Sequence, residues 1–477
     1  MKALPGKYAS ILLLCCLPLL MLPLIRLLAG FNGLYGQDSH AFYQAAMELN
    51  ELLRGEATDI NFFWPYVYPL SAAPWFSSPI PGDLVMQMTC CSALAGCLVF
   101  SGLILRNLFP EQVKWSLVYL IIIIFLSPYF FRGGYLVMSD MPAAFFILAA
   151  LHFMIRSLDS GKRLFLFTAM LFSLLAFFTR YQTALLLAVP LFYTWIRSLR
   201  QKDWWPPVLA AILAVGGFFL FWWMQGFGSR GFTAHPYLTE WNPLNFFRNE
   251  FHSADGAQHY RLPNLLYAFS LLYHPAWLMA GIFMLVFIRK NQFTGKIIIL
   301  LFIPLLLYIL FLAGIPFQNQ RFLLIALPVF GIWMYPAFYR LMEQIRFPRL
   351  RTLLLVILAA GQSGMIIWSG KDFVKLNHKE REIAATLKQI CPEESRLYVF
   401  DLEPALKTYG IRNPMQNIWT REYPGFEKGS MVILNTRKLE PQWTGRNPAI
   451  NWEKMKKENN PLLITDFGHG WELYELR

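Results

Sequence analysis

The stretch LFLFTAMLFSLLAFFTRYQTALLLAVPLFYTWI, residues 164–196, is too long for one ordinary membrane span, and both of its flanks are basic: Lys162 and Arg163 before it, Arg197 and Arg200 after it. Basic flanks mark the cytoplasmic side, so the chain must cross the bilayer an even number of times here. Two helices therefore share the stretch and turn at Thr179, Arg180 and Tyr181 on the outer side. At 1.5 Å per residue each reaches only about 24 Å, short of a roughly 30 Å hydrocarbon core. Arg180 is then held at or below the outer surface, inside protein. A charge at that depth is costly and marks a functional position.

The rest of the chain fits this reading. Its 477 residues are 56% hydrophobic and 15% charged. Hydropathy places about eleven spans, near 8–29, 84–105, 115–131, 138–155, 164–179, 182–196, 206–224, 264–288, 297–314, 322–339 and 352–368. The first run lacks a small-x-small cleavage site and is followed by many more spans, so it reads as a retained helix and not as a signal peptide. Loops on one side hold seventeen basic residues against four acids; loops on the other hold seven arginines against ten acids. The formal charge of +13 is therefore positive-inside bias, and no basic patch is left over for nucleic acid. The N-terminus is placed in the cytoplasm. Two long loops, 30–83 and 225–263, lie on the outer face.

Residues 370–477 read as a separate periplasmic or extracytoplasmic α/β domain following a transmembrane module at 1–369. The pattern predicts helices near 378–390 and 403–409, and strands at 396–401, 431–435, in PLLITDF and in WELYELR. The fold class is thus a polytopic α-helical membrane protein with a small C-terminal α/β domain. Five of the six cysteines lie in apolar runs and Cys391 stands alone in the tail, so there is no disulfide framework. The lack of any N-x-S/T sequon fits a bacterial inner membrane.

The outer side collects a short list of reactive groups. The sequence GQDSHAFYQAA (36–46) presents Asp38 and His40 at the start of an interfacial helix. GGYLVMSDMPAAFF (133–146) presents Asp140, TRYQT (179–183) presents Arg180, and GIPFQNQRFLLIALPVF (314–330) presents Gln318, Gln320 and Arg321. His40, Tyr43, Tyr181 and Gln320 are the candidate substrate-binding side chains. Two acids and two arginines at one membrane face suit one job: a carboxylate takes a proton from a nucleophile while arginines neutralise a phosphate leaving group. Plainer readings stand beside this. Asp38 and Asp140 could each be a helix N-cap, and Arg321 could only anchor its helix by snorkelling. His235, His252, His259 and His274 lack metal-ligand spacing, but a divalent ion held by Asp38, His40 and Asp140 stays open. Trp443, Trp452 and Trp471 read as core aromatics of the tail.

Taken in order, these motifs resemble the GT-C superfamily of polytopic glycosyltransferases, and within it the protein mannosyltransferase and lipid A aminoarabinose transferase group. The resemblance rests on the acid in GQDSHAFYQAA, the acid in SDMPAAFF, the TRY turn, the QRFLLIALP helix and a C-terminal α/β domain. It implies a polyprenyl-phosphate sugar as donor, with a lipid, glycan or protein acceptor. It further implies Asp38 as the catalytic acid of the first loop, Asp140 as the second loop acid, and Arg321 near the donor phosphate. Many members carry two adjacent acids in the first loop, where this chain has Asp38 followed by Ser39. A polysaccharide ligase or polymerase using a lipid-linked donor, and a lipid or glycan transporter, are the alternatives. A transporter would be expected to show internal repeats, and none is visible.

Overall fold

The computed structural model describes residues 4–56, 60, 62–200, 204–224, 236–253, 256–293 and 295–477; His235, Lys202, Asp203 and parts of both long loops lie outside them. Among the described residues, five helices are long and apolar enough to cross a membrane: Ser10–Ala29, Gly82–Leu108, Asp140–Ser160, Gly295–Gly314 and Pro348–Ile390. Shorter apolar helices at Arg163–Phe177, Thr183–Leu199 and Pro207–Phe219 join them. This is an integral membrane protein. Of the five long helices, Asp140–Ser160 is the most buried, with Ala143, Ile147, Ala150, Leu151 and Met154 in one core with Leu94, Cys97 and Leu98 of Gly82–Leu108. These positions recur every three or four residues, the spacing of one helix face. The first helix and the start of the helix at Pro348 instead leave most of their apolar surface uncovered, as lipid-facing helices do.

The stretch 164–196 folds as two helices, Arg163–Phe177 and Thr183–Leu199. Arg180 lies in the turn between them, its backbone N–H donating to Ala176 O at 2.9 Å.

Three of the eleven expected spans are not continuous helices. Residues 115–131 form a single α-turn at Ser116–Tyr119, a π-helical stretch at Leu120–Phe125 and, after a break, the helix Pro128–Gly133. Pro128 supplies no N–H and forces Ser127 out of the helical region. Residues 264–288 break in the same way: His274, ahead of Pro275, is extended. The two breaks meet. Tyr129 N donates to Ala276 O at 3.0 Å, and Ser127 Oγ to the same oxygen at 3.4 Å. Irregular backbone at membrane depth survives only where protein satisfies it, and each break here satisfies the other. Hydropathy cannot register this, because the residues around a buried break are as apolar as those of a span. The expected span 322–339 is likewise two helices, Gln320–Leu324 and Leu327–Gln344.

The long helix Pro348–Ile390 runs without interruption through residue 369, so the expected span at 352–368 and helix at 378–390 are one rod. Its far end buries Ile383, Ala384 and Leu387 under a five-stranded sheet. The strand order is Met415–Asn417, Leu397–Val399, Met431–Asn435, Trp471–Glu475, Leu462–Gly468, parallel across the first three and antiparallel across the rest. Side chains alternate across Met431–Asn435: Ile433 faces the long helix, while Val432 and Leu434 face the helices Thr436–Trp443 and Asn447–Asn459. The strand Met415–Asn417 and these last two helices were not expected from the pattern. Trp443, Trp452 and Trp471 are all buried.

Candidate active site

Two loops meet before the site begins. Val137 N donates to Gly33 O at 2.9 Å, tying the segment before Asp38 to the segment before Asp140. Gly33 has φ +86°, and a Cβ there would lie 3.0 Å from Tyr135 O, so only glycine fits comfortably. Gly36, at φ +63°, then starts the helix Gly36–Leu53, with Asp38 in its first turn. Asp140 is the first residue of its own helix. Neither acid is an N-cap: the capping positions are Tyr35 and Ser139, and neither has a side-chain cap bond. Both carboxylates instead lie in the first turn of a helix, at its N-terminal end.

Arg321 joins the two acids. Its Nη1 donates to Asp38 Oδ2 at 2.7 Å, and its Nε and Nη2 both donate to Asp140 Oδ2 at 3.2 Å. Arg180 Nη1 donates to the other oxygen, Asp140 Oδ1, at 2.6 Å. Asn319 Oδ1 accepts from Arg321 N at 3.0 Å, an actual helix cap that fixes where the arginine starts. Snorkelling does not describe Arg321, since its guanidinium is spent on carboxylates. The Asp140 side chain is only 2% exposed and that of Arg180 11%, whereas Asp38 is 37% exposed. Asp38 Oδ1 has no partner among the described residues, so the cluster presents one open carboxylate oxygen.

Sequence reasoning put His40 beside Asp38, and the structure separates them. Two residues on a helix differ by about 200° in direction. Asp38 faces Arg321, while His40 is fully buried on the other side, its Nε2 donating to Glu380 Oε2 at 3.2 Å. Glu380 Oε1 accepts from Gly36 N at 3.1 Å. His40 is thus structural support, and the set Asp38, His40 and Asp140 is not brought together. Among the described residues no three His, Cys, Asp or Glu side chains form a metal-ligand group, and Arg321 occupies the space between the two acids. Tyr43 rests on Phe76 at 5.2 Å and Tyr181 on Phe177 at 5.1 Å. Gln320 Oε1 accepts from Trp277 Nε1 at 3.1 Å, and Gln318 Nε2 donates to Leu262 O at 2.6 Å. His252 is exposed, His259 pairs with Glu250, and His274 stacks on Tyr129. Burial pushes the phenols of Tyr35 and Tyr43 up, so both stay neutral hydroxyls; of the two, Tyr35 lines the cleft over Asp38.

One residue was missed. Arg132, in FFRGGY, is sandwiched 4.5 Å from the Tyr129 ring centroid and 3.8 Å from that of Phe373. Its Nη1 reaches Ser369 O at 3.4 Å, and its buried Nε has no partner. No carboxylate among the described residues pairs with it. It lines a small pocket with Asp140, Gln320, Arg321 and Trp277. A second, larger cleft opens on the other side of Arg321, over Asp38.

No protein-family model and no curated protein matches the chain. Solved structures do. ArnT from Cupriavidus metallidurans, bound to undecaprenyl phosphate, superposes over 96% of this chain and 97% of its own with TM-score 0.59 at 13% identity. Its apo form superposes equally well. The Archaeoglobus fulgidus oligosaccharyltransferase, tethered with an acceptor peptide, covers 100% of this chain and 74% of its own with TM-score 0.53 at 10% identity. The chain has the GT-C fold.

Proposed function

We propose that the protein transfers a sugar from a polyprenyl-phosphate donor to an acceptor hydroxyl or amine on the extracytoplasmic face of an inner membrane, with inversion at the anomeric carbon. The observation that carries this reading is the acid–arginine cluster between two openings. Asp38 Oδ1 is open to the larger cleft, and Arg321 and the unpaired Arg132 border the smaller pocket. Arg180 and Arg321 are balanced by Asp140 and Asp38. Arg132 therefore supplies the surplus positive charge that a phosphate needs. That ArnT binds undecaprenyl phosphate supports the choice of donor.

In the reaction, the acceptor hydroxyl gives its proton to Asp38 as its oxygen attacks the anomeric carbon. The bond from that carbon to the phosphate oxygen breaks, and polyprenyl phosphate leaves with the electron pair. Arg132 and Arg321 offset the charge that develops on the leaving oxygen. Asp140 holds Arg180 and Arg321 in position.

The test is to supply the purified chain, in detergent, with polyprenyl-phosphate sugars and a panel of acceptors. Release of polyprenyl phosphate with a product of opposite anomeric configuration is expected. Retained configuration, or no cleavage of any donor, would overturn the reading.

A further inference from the structure

The larger cleft, about 330 Å³ in volume, is built from two parts of the chain. Gln37, Asp38 and Arg321 wall one side, at the end of the helical bundle; Asp401, Trp419 and Lys438 wall the other, on the C-terminal sheet. The sides are bonded to each other. Gln37 Nε2 donates to Asp401 Oδ1, and Lys438 Nζ donates to Asp401 Oδ2 at 2.6 Å. Asp401 holds this position at φ +63°, a conformation non-glycine residues seldom adopt and one that concentrates at functional sites.

Trp419 is the second feature. It stands in the turn after the strand Met415–Asn417, with its side chain well exposed at 37%. Its backbone is pinned, Trp419 N donating to Asn417 Oδ1 at 3.0 Å and its carbonyl accepting from Asn447 Nδ2 at 3.1 Å. Behind it the buried Trp443 meets its ring edge-on at 6.2 Å, and Phe400 in turn meets Trp443 at 5.6 Å. An indole is thus held at the cleft in one orientation, in contact with water. Such an aromatic offers a flat apolar face at small entropic cost.

Charge narrows what the cleft can take. Both of its cations are already matched, Lys438 by Asp401 and Arg321 by Asp38 and Asp140. No surplus positive charge remains for a phosphorylated acceptor. What remains is an aromatic face, an amide and carboxylate oxygens that each keep a second lone pair. An uncharged sugar is the complement of that set: its C–H face lies on the indole and its hydroxyls donate to the carboxylates. The volume is at the lower end of the range for small-molecule pockets, about 300–1,000 Å³.

We propose that this cleft is the acceptor subsite and that it takes the uncharged terminal sugar of a glycan, stacked on Trp419 and hydrogen-bonded to Asp401, with one hydroxyl delivered to Asp38. The proposal rests on the transfer reading above and names its acceptor class. The C-terminal sheet is then a selectivity element for the reaction.

The test is saturation-transfer NMR on the intact chain in detergent. The probes are mannotriose, galactotriose and N-acetylglucosamine trisaccharide, a bisphosphorylated glucosamine disaccharide, and a serine-rich peptide. At least one neutral trisaccharide should bind. Its affinity should fall about tenfold in Trp419→Ala, recover largely in Trp419→Phe and fall again in Asp401→Ala. The exposed Trp204, far along the chain from the cleft, serves as a control, and Trp204→Ala should bind as the unaltered chain does. Absence of neutral-sugar binding, equal binding by Trp419→Ala, or Trp419-dependent binding of the phosphorylated disaccharide or the peptide would overturn the proposal. Release of polyprenyl phosphate, measured in parallel, separates the two readings. Trp419-dependent sugar binding without donor cleavage would remove the transferase and keep the subsite, and Asp38-dependent cleavage without sugar binding would do the reverse.

Discussion

Arg321 makes three hydrogen bonds to two carboxylates, a geometry that a single ammonium group cannot reproduce. Arg321→Lys should therefore lower kcat/KM by roughly 10- to 100-fold, the equivalent of about 1.5–3 kcal/mol for a hydrogen bond to a charged group. Arg132→Gln should act differently. It removes the unpaired cation without touching either acid, so the donor KM should rise about tenfold while acceptor KM stays level. Steady-state kinetics with donor and acceptor varied separately distinguishes the two; an equal effect on both KM values would remove Arg132 from the phosphate pocket. Asp38, Asp140, Arg180 and Arg321 were legible in the sequence because sidedness alone put four costly charges at one face. Arg132 was not, although its signal was present: an arginine in an aromatic run with no acid near it in sequence. His40 was misplaced because the helix begins at Gly36, which turns positions 38 and 40 to opposite sides.

Among the elements, the helix that carries Asp38 is held from behind by one that starts more than three hundred residues later. Glu380 bonds both Gly36 N and His40 Nε2 while almost fully buried. Glu380→Ala leaves a backbone N–H and an imidazole without partners, at a cost of about 1–3 kcal/mol per buried group. The Tm should fall, and kcat should fall with it while acceptor KM changes little, since the Asp38 helix loses its anchor. Glu380→Gln keeps an acceptor for Gly36 N and should restore most of the Tm. An unchanged Tm in Glu380→Ala would show that the pair contributes nothing to holding the helix. No sequence pattern could reveal this contact, because it joins residues 340 positions apart. The broken segments at 115–131 and 264–288 were hidden for another reason. Their prolines, Pro128 and Pro275, were visible, but hydropathy windows average over single residues, and only the mutual satisfaction of the two breaks allows either to exist at membrane depth.

At the scale of the whole molecule, the helix Pro348–Ile390 carries the chain from lipid-facing surface to the underside of the sheet in one rod. We expect from the charge bias that the sheet lies on the extracytoplasmic side, so a reporter fused after residue 375 should read as exported; a cytoplasmic signal would invert the sidedness of every loop. The presence of helices and strands was largely readable from periodicity. The way the sheet, the long helix and the Asp38 helix close around one cleft was not, since it depends on tertiary contacts such as Gln37 with Asp401. The central claim is that Asp38 is the proton acceptor for sugar transfer at the end of this bundle. It is tested most directly by comparing transfer from a polyprenyl-phosphate sugar by the intact chain and by Asp38→Asn, both in proteoliposomes at equal protein. Asparagine keeps the size and a hydrogen-bond acceptor for Arg321 but cannot take a proton, so transfer should fall by about 10²–10⁴-fold with the Tm little changed. Transfer within a factor of two or three of the unaltered chain, about what a purely structural acid would give, would contradict it.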